Sequence, residues 1–225
     1  MEWDEIFALL ESWREKLKEE ETGKKAEDPS VSALAAERCR DPWAVLVSTI
    51  LSLRTKDEVT LTASRALLGR APAPAALWEL QEEEIARLAY PAGFYRTKAA
   101  NLKNIARILL DRYGGKVPAD MDALLALPGV GRKTANLVLT EAFDLDGICV
   151  DVHVHRICNR AGWVSALKPE QTEESLRRDL PKKYWKRINA LLVLYGQQIC
   201  RPLSPFCSRC LIHHRCERRG VTRSR

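Results

Sequence analysis

No apolar run in the chain approaches the roughly 20 residues of a bilayer-spanning helix, so no segment reads as a membrane span. The opening stretch, MEWDEIFALLESWREKLKEEE, lacks the basic start and short apolar core of a secretion signal. It is acidic and amphipathic instead, and the expectation is a soluble, intracellular protein. Strand-like alternation of apolar and polar residues is scarce, which argues against a sheet. There is no long internal repeat and no low-complexity segment.

What is present is a helix-forming composition. Ala, Leu, Glu, Lys and Arg fill most segments, and an all-α fold follows as the expectation. With 225 residues, 46% of them hydrophobic, the chain can bury a real core as one large domain or two small ones. Net charge is +6 and the pI about 9.0. That balance favours a polyanionic partner, nucleic acid first, and also fits a basic soluble protein with no such partner.

Residues 1–21 read as a helix with Trp3, Ile6, Phe7, Leu10, Trp13 and Leu17 near one face. A polar break, TGKKAEDPS, follows. A short helix is expected over 32–40. Asp41-Pro42 then reads as N-cap and first helical position of WAVLVSTILSL, the segment expected to be most buried. Further helices are expected over 56–68, 75–78, 82–89, 98–113 and 121–126, punctuated by Gly and Pro. Beyond Leu139, the turn FDLDG and the short apolar ICVDV precede helices at VHRICNRAG, 171–179 and 184–198.

LPGVGRKTANLVL, Leu127 to Leu139, breaks two apolar runs with a proline and two glycines. Gly129 and Gly131 allow backbone angles closed to other residues and keep side chains away. The amides of Gly129, Val130, Gly131, Arg132 and Lys133 then meet the positive end of the next helix, an anion site made of backbone. The same pattern fits a tight helix–helix corner with no ligand. Lys133 stands at the mouth of that helix. The helix terminus and partial burial both disfavour its charged form, and a neutral amine so placed can attack a sugar carbon and form a Schiff base. A phosphate contact or a solvated side chain is the plainer reading.

Cys200, Cys207, Cys210 and Cys216 form a C-x6-C-x2-C-x5-C run within seventeen residues, a metal-binding pattern. Four thiolates suit zinc and an iron–sulfur cluster alike. Cys39, Cys149 and Cys158 have no such pattern and read as core residues. His213 and His214, inside the run, read as surface or phosphate contacts.

LPGVGRKTANLVL followed by VDVHVHRICNR resembles the helix–hairpin–helix DNA glycosylases, in particular their endonuclease III branch, over nearly the whole chain from about Cys39 to Cys216. The resemblance implies a two-lobed all-α fold: a six-helix barrel lobe over 35–144 containing the hairpin, and a second lobe from 1–34 with 145–225 carrying a cluster loop at 200–216. It implies Lys133 as the nucleophile on the anomeric carbon of a damaged nucleotide. Asp151, eighteen positions on, becomes the carboxylate that completes the site, a role compatible with capping the helix after it. A 4Fe–4S cluster on the four cysteines is implied as a structural group. It is expected to fix a loop and tail that carry Arg201, Arg209, Arg215, Arg218 and Arg219 near the DNA backbone, although the loop RPLSPF between the first two cysteines is less basic than is usual in the family.

The activity implied is base-excision repair of oxidised pyrimidines in duplex DNA, with β-elimination at the abasic site. The rivals are a mismatch or adenine glycosylase, against which Lys133 argues, and a non-catalytic hairpin module that only binds DNA. The implied partner is double-stranded DNA bearing a damaged base or an abasic site. A cytoplasmic, nucleoid-associated prokaryotic monomer is the expected setting. Two side chains are expected to enter the duplex where the base is flipped out. One is Arg54, where the family usually has glutamine; it also reads as a phosphate contact. The other is Phe94, an apolar wedge by position, with core packing as the alternative. Lys98 and Arg96 are expected to contact phosphates, and Asp57 to be structural.

Overall fold

The computed structural model describes residues 2–20 and 29–225. Most of the TGKKAEDPS break lies outside them. The described residues form helices and connecting segments with no strand. The chain divides into two compact units, Met1–Asp28 with Ile148–Arg225, and Pro29–Gly147.

The core of the second unit is α3 (Pro42–Ser52). Asp41 accepts hydrogen bonds from the amides of Trp43 (3.4 Å) and Ala44 (3.1 Å), and Pro42 supplies a first-turn φ without a wasted donor. Every residue from Trp43 to Leu51 is buried. Its polar members are satisfied locally: the hydroxyls of Ser48 and Thr49 both donate to the carbonyl of Val45. Helices α2 (Ser30–Glu37), α4 (Asp57–Arg70), α7 (Tyr95–Tyr113) and α9 (Arg132–Phe143) pack on it. α5 (Pro74–Glu79) and α6 (Glu82–Ala89) pack on α7, and α8 (Met121–Leu125) on α9. Asp57 accepts from the amide of Ser30 and so ties α4 to the start of α2. Asp41→Ala is expected to cost about 1 kcal/mol, the usual worth of such a cap, measurable as a lower denaturation midpoint with an unchanged slope.

Several expected boundaries shift. α2 starts at Ser30 and ends at Glu37, because Cys39 and Arg40 turn into the left-handed region (φ 51° and 59°). Cys39 is exposed in that turn, against its expected place in the core. α7 begins three residues early, at Tyr95.

In the other unit, α1 (Trp3–Glu20) buries Trp3, Ile6, Phe7 and Leu10, the face its periodicity predicts. Phe7 stacks on Tyr184 with ring centroids 3.8 Å apart, and Trp3 meets Trp163 edge-on. α12 (Trp185–Gln198) lies between α1 and α10 (Val152–Ala161), and α11 (Pro169–Asp179) packs on α10. Cys149 and Cys158 are buried in their expected core positions.

Candidate functional site

The glycine turn is closed by the amide of Val130 donating to the carbonyl of Leu127 at 3.2 Å. Leu127 and Val130 are both buried and anchor its ends. Between them, Gly129 sits at φ +76°, where an L side chain is strained. A Cβ there would also meet Asn101 Nδ2 at 2.4 Å. Gly131 differs. Its backbone is extended (φ −101°, ψ 178°), which any residue adopts, and a Cβ on it would meet nothing within 4 Å. The expected need for unusual backbone angles therefore holds for Gly129 and fails for Gly131. Gly131 is the N-cap of α9 and brings no side chain to its first turn. Arg132 is exposed and Lys133 half-buried, both in that turn, where the helix dipole presents its positive end.

Asp151 belongs to the other unit. It caps α10, its Oδ1 accepting from the amides of His153 and Val154, both at 2.9 Å. Only 9% of its surface is exposed. Both bonds fall on one oxygen.

Arg54 and Phe94 both adopt left-handed backbones (φ 53° and 56°) at exposed positions. Phe94 is 62% exposed, which removes the core-packing alternative. The Arg54 guanidinium lies 5.4 Å from the Phe94 ring centroid.

Lys98 is a correction. Expected at a phosphate, it is only 5% exposed. Its ammonium donates to the carbonyls of Leu51 (2.8 Å) and Leu53 (2.6 Å) and to Thr55 Oγ1 (2.9 Å). Its three donors are thus engaged within the protein. Burial lowers its pKa to about 8. Arg96 is exposed, with its guanidinium 5.4 Å from the Tyr95 ring.

Cys200, Cys207, Cys210 and Cys216, all free thiols, line one pocket of about 300 Å³, open space at its mouth included. Among the described residues, no three His, Cys, Asp or Glu side chains are arranged around a single ion. Four soft sulfur donors with no carboxylate in the lining fit an iron–sulfur group. The pocket is braced by residues that carry no signal in the sequence. The Tyr195 hydroxyl donates to Cys210 Sγ (3.3 Å) and accepts from the amide of Leu211 (3.0 Å). Arg160 donates to Cys200 Sγ (3.4 Å), and Arg156 to the Cys200 carbonyl (2.8 Å). Tyr195 reads as one more apolar position of α12; only the fold brings its hydroxyl to a sulfur.

The basic tail is less free than its composition suggests. Arg215 pairs with Glu2 and Glu5, and Arg219 with Glu217. Arg201, Arg209 and Arg225 gather instead around the Phe206 ring, at 5.1–5.6 Å. Charge remote in sequence thereby reaches the loop with a single arginine of its own. His213 and His214 are exposed. No helix among the described residues is long and apolar enough to cross a membrane.

The family model for HhH-GPD superfamily base excision DNA repair proteins matches residues 47–182, hairpin and Asp151 included. Endonuclease III of Thermotoga maritima is 46% identical over 183 residues, covering 80% of this chain and 86% of that protein. Endonuclease III homolog 1, chloroplastic, of Arabidopsis thaliana is 41% identical over 92% of this chain, which spans 59% of that longer protein. A solved structure of a trapped endonuclease III–DNA covalent intermediate, an estranged-adenine complex, is similar with a TM-score of 0.76 and 32% identity over 79% of this chain and 84% of that one. Sequence and fold agree, and the chain belongs to the HhH-GPD superfamily of base excision DNA repair proteins and, within it, to the endonuclease III family.

Proposed function

We propose that the protein is a DNA glycosylase with abasic-site lyase activity, excising oxidised pyrimidines from duplex DNA. The observation that carries this reading is Lys133 in the first turn of a helix opened by the glycine hairpin, in a chain 46% identical to an endonuclease III. The hairpin amides and Arg132 hold a backbone phosphate. The Lys133 amine attacks the anomeric carbon of the damaged nucleotide, the glycosidic bond breaks, and the base leaves with a proton. Positive charge builds on the sugar as this happens, and the Asp151 carboxylate stabilises it or takes the proton of the attacking amine. The resulting Schiff base acidifies a sugar hydrogen. Its loss expels the 3′ oxygen, which cuts the strand by β-elimination.

Cys200, Cys207, Cys210 and Cys216 are proposed to hold a 4Fe–4S cluster, which would supply a crosslink fixing the loop and tail. Iron analysis is expected to find about four irons per chain in a brown protein; a colourless protein with one zinc would overturn it.

Borohydride trapping tests the activity. Duplexes bearing one oxidised pyrimidine, or an abasic site, are expected to give a covalent protein–DNA adduct. Duplex binding with no adduct would leave a non-catalytic hairpin module. Gly131 offers a separate check on the phosphate contact. Gly131→Ala fits the backbone and the space within the protein but puts a poor N-cap on α9, so stability is expected to fall by only about 1 kcal/mol. Duplex affinity is expected to fall several-fold, because the added methyl stands where the phosphate approaches.

A further inference from the structure

The chain beyond the fourth cysteine, residues 217–225, buries almost nothing of its own. All of these residues are exposed except Val221, which is half-buried. Fixing one residue's backbone costs about 1–2 kcal/mol of entropy, so a tail with no apolar face needs other holds. It has them at both ends. At its start, the amides of Glu217 and Arg219 donate to the carbonyls of Ala161 (3.3 Å) and Arg160 (2.9 Å) in the last turn of α10. The Arg219 guanidinium donates to Val164 O (3.3 Å). Carbonyls at a helix C-terminus have no partner within the helix, and the tail supplies one. Gly162 makes room for this, since a Cβ on it would run into the Glu217 side chain.

At the far end, Arg225 is tied to the segment around Cys207. Its amide donates to Pro205 O (2.9 Å), and its carbonyl accepts from the Ser208 amide (3.0 Å). Its guanidinium lies 5.2 Å from the ring of Phe206, inside that same segment. Between the two holds the chain turns at Arg218 and Gly220, both at positive φ (55° and 70°), with the Val221 amide donating to Arg218 O (3.0 Å). The turn brings Arg218 and Val221 into the lining of the pocket of the four cysteines. The one side chain that the tail partly hides is hidden there.

We propose that residues 217–225 form a strap across the cysteine pocket, with Val221 as its plug, that keeps small chelators from the iron of the proposed 4Fe–4S cluster. This rests on the cluster reading given above. A chelator removes iron by bonding to it as an iron–thiolate bond breaks and the freed thiolate takes up a proton. It must touch the metal first, so the rate of loss follows how often a wall of the pocket opens. Arg160 of α10 and Ile199 at the end of α12 line other walls and belong to packed helices. The strap, exposed and held at its two ends, is the wall that opens most readily.

The test mixes excess EDTA with the iron-loaded full-length protein, with Val221→Ala, and with a chain ended at Arg219, and follows the fading of the brown absorption. Both variants are expected to load as much iron as the wild type and to melt at its temperature, because the ligands and the bonds to α10 remain. Iron loss is expected to run about threefold faster in Val221→Ala and about tenfold faster in the shortened chain, the effect of removing a local barrier. Val221→Ala carries the point if the shortened chain does not load. A tail that only stabilises the fold would speed iron loss in step with a lowered melting temperature. That pattern, or a wild-type rate in either loaded variant, would overturn the proposal. A colourless wild type sinks cluster and strap together, whereas a brown wild type with unresponsive variants sinks the strap alone.

Discussion

Lys133→Gln is expected to form no borohydride-stable adduct with any lesion duplex and to lose strand cleavage by on the order of 10⁴-fold or more, the scale of losing a covalent catalyst's nucleophile. Glutamine, one bond shorter, keeps a polar donor but offers no amine to form a Schiff base. Stability is expected to hold, because Lys133 is half-buried and α9 is anchored elsewhere, by Thr134 to Thr140, all buried. Duplex affinity is expected to fall much less than activity, since the hairpin amides and Arg132 are untouched. An adduct formed by Lys133→Gln would place the nucleophile elsewhere in the chain, and the role given to the hairpin helix would fail with it.

Cys210→Ala is expected to yield a protein with little iron and a weakened tail. Three supports go together. The proposed cluster would lose a ligand, the Tyr195 hydroxyl loses the acceptor of its hydrogen bond, and the Leu211 amide that donates to the same hydroxyl is no longer held in place. Ile212, 3% exposed, packs into the core of that unit and would be drawn out as the tail loosens. The loss is expected to reach several kcal/mol, because binding energy at a structural metal site is folding energy. The unit of Pro29–Gly147 has its own core on α3 and is expected to keep its helices. Thermal melting followed by circular dichroism would then show a low transition absent from the wild type. A single transition at the wild-type temperature in an iron-free protein would overturn the structural role of these thiols.

Local features were legible before any coordinates. Asp41-Pro42 announced the start of α3, because a cap and a fixed φ act within one turn of helix. The α1 stripe announced which side chains it buries. The positive φ of Gly129 was readable from its place after a proline in a tight turn. Gly131 was misread for its angles, since two glycines in one turn look alike in sequence and differ only in what lies beyond their missing Cβ atoms. Cys39 was misread as core because its burial depends on where α2 ends, which its own neighbours do not settle.

The sequence by itself determined the family, the helices, the hairpin and the run of four cysteines, all patterns set by residues a few positions apart. Tertiary structure alone decided what Lys98 does. Its partners lie 43 to 47 positions away, on a loop whose approach is governed by the packing of α7 against α3. The same packing set Arg54 against Phe94, and packing within the other unit brought the Tyr195 hydroxyl to a sulfur. A lysine side chain is equally at home at a phosphate or in a cage of carbonyls; only the folded chain, by surrounding it or leaving it in water, chooses between them.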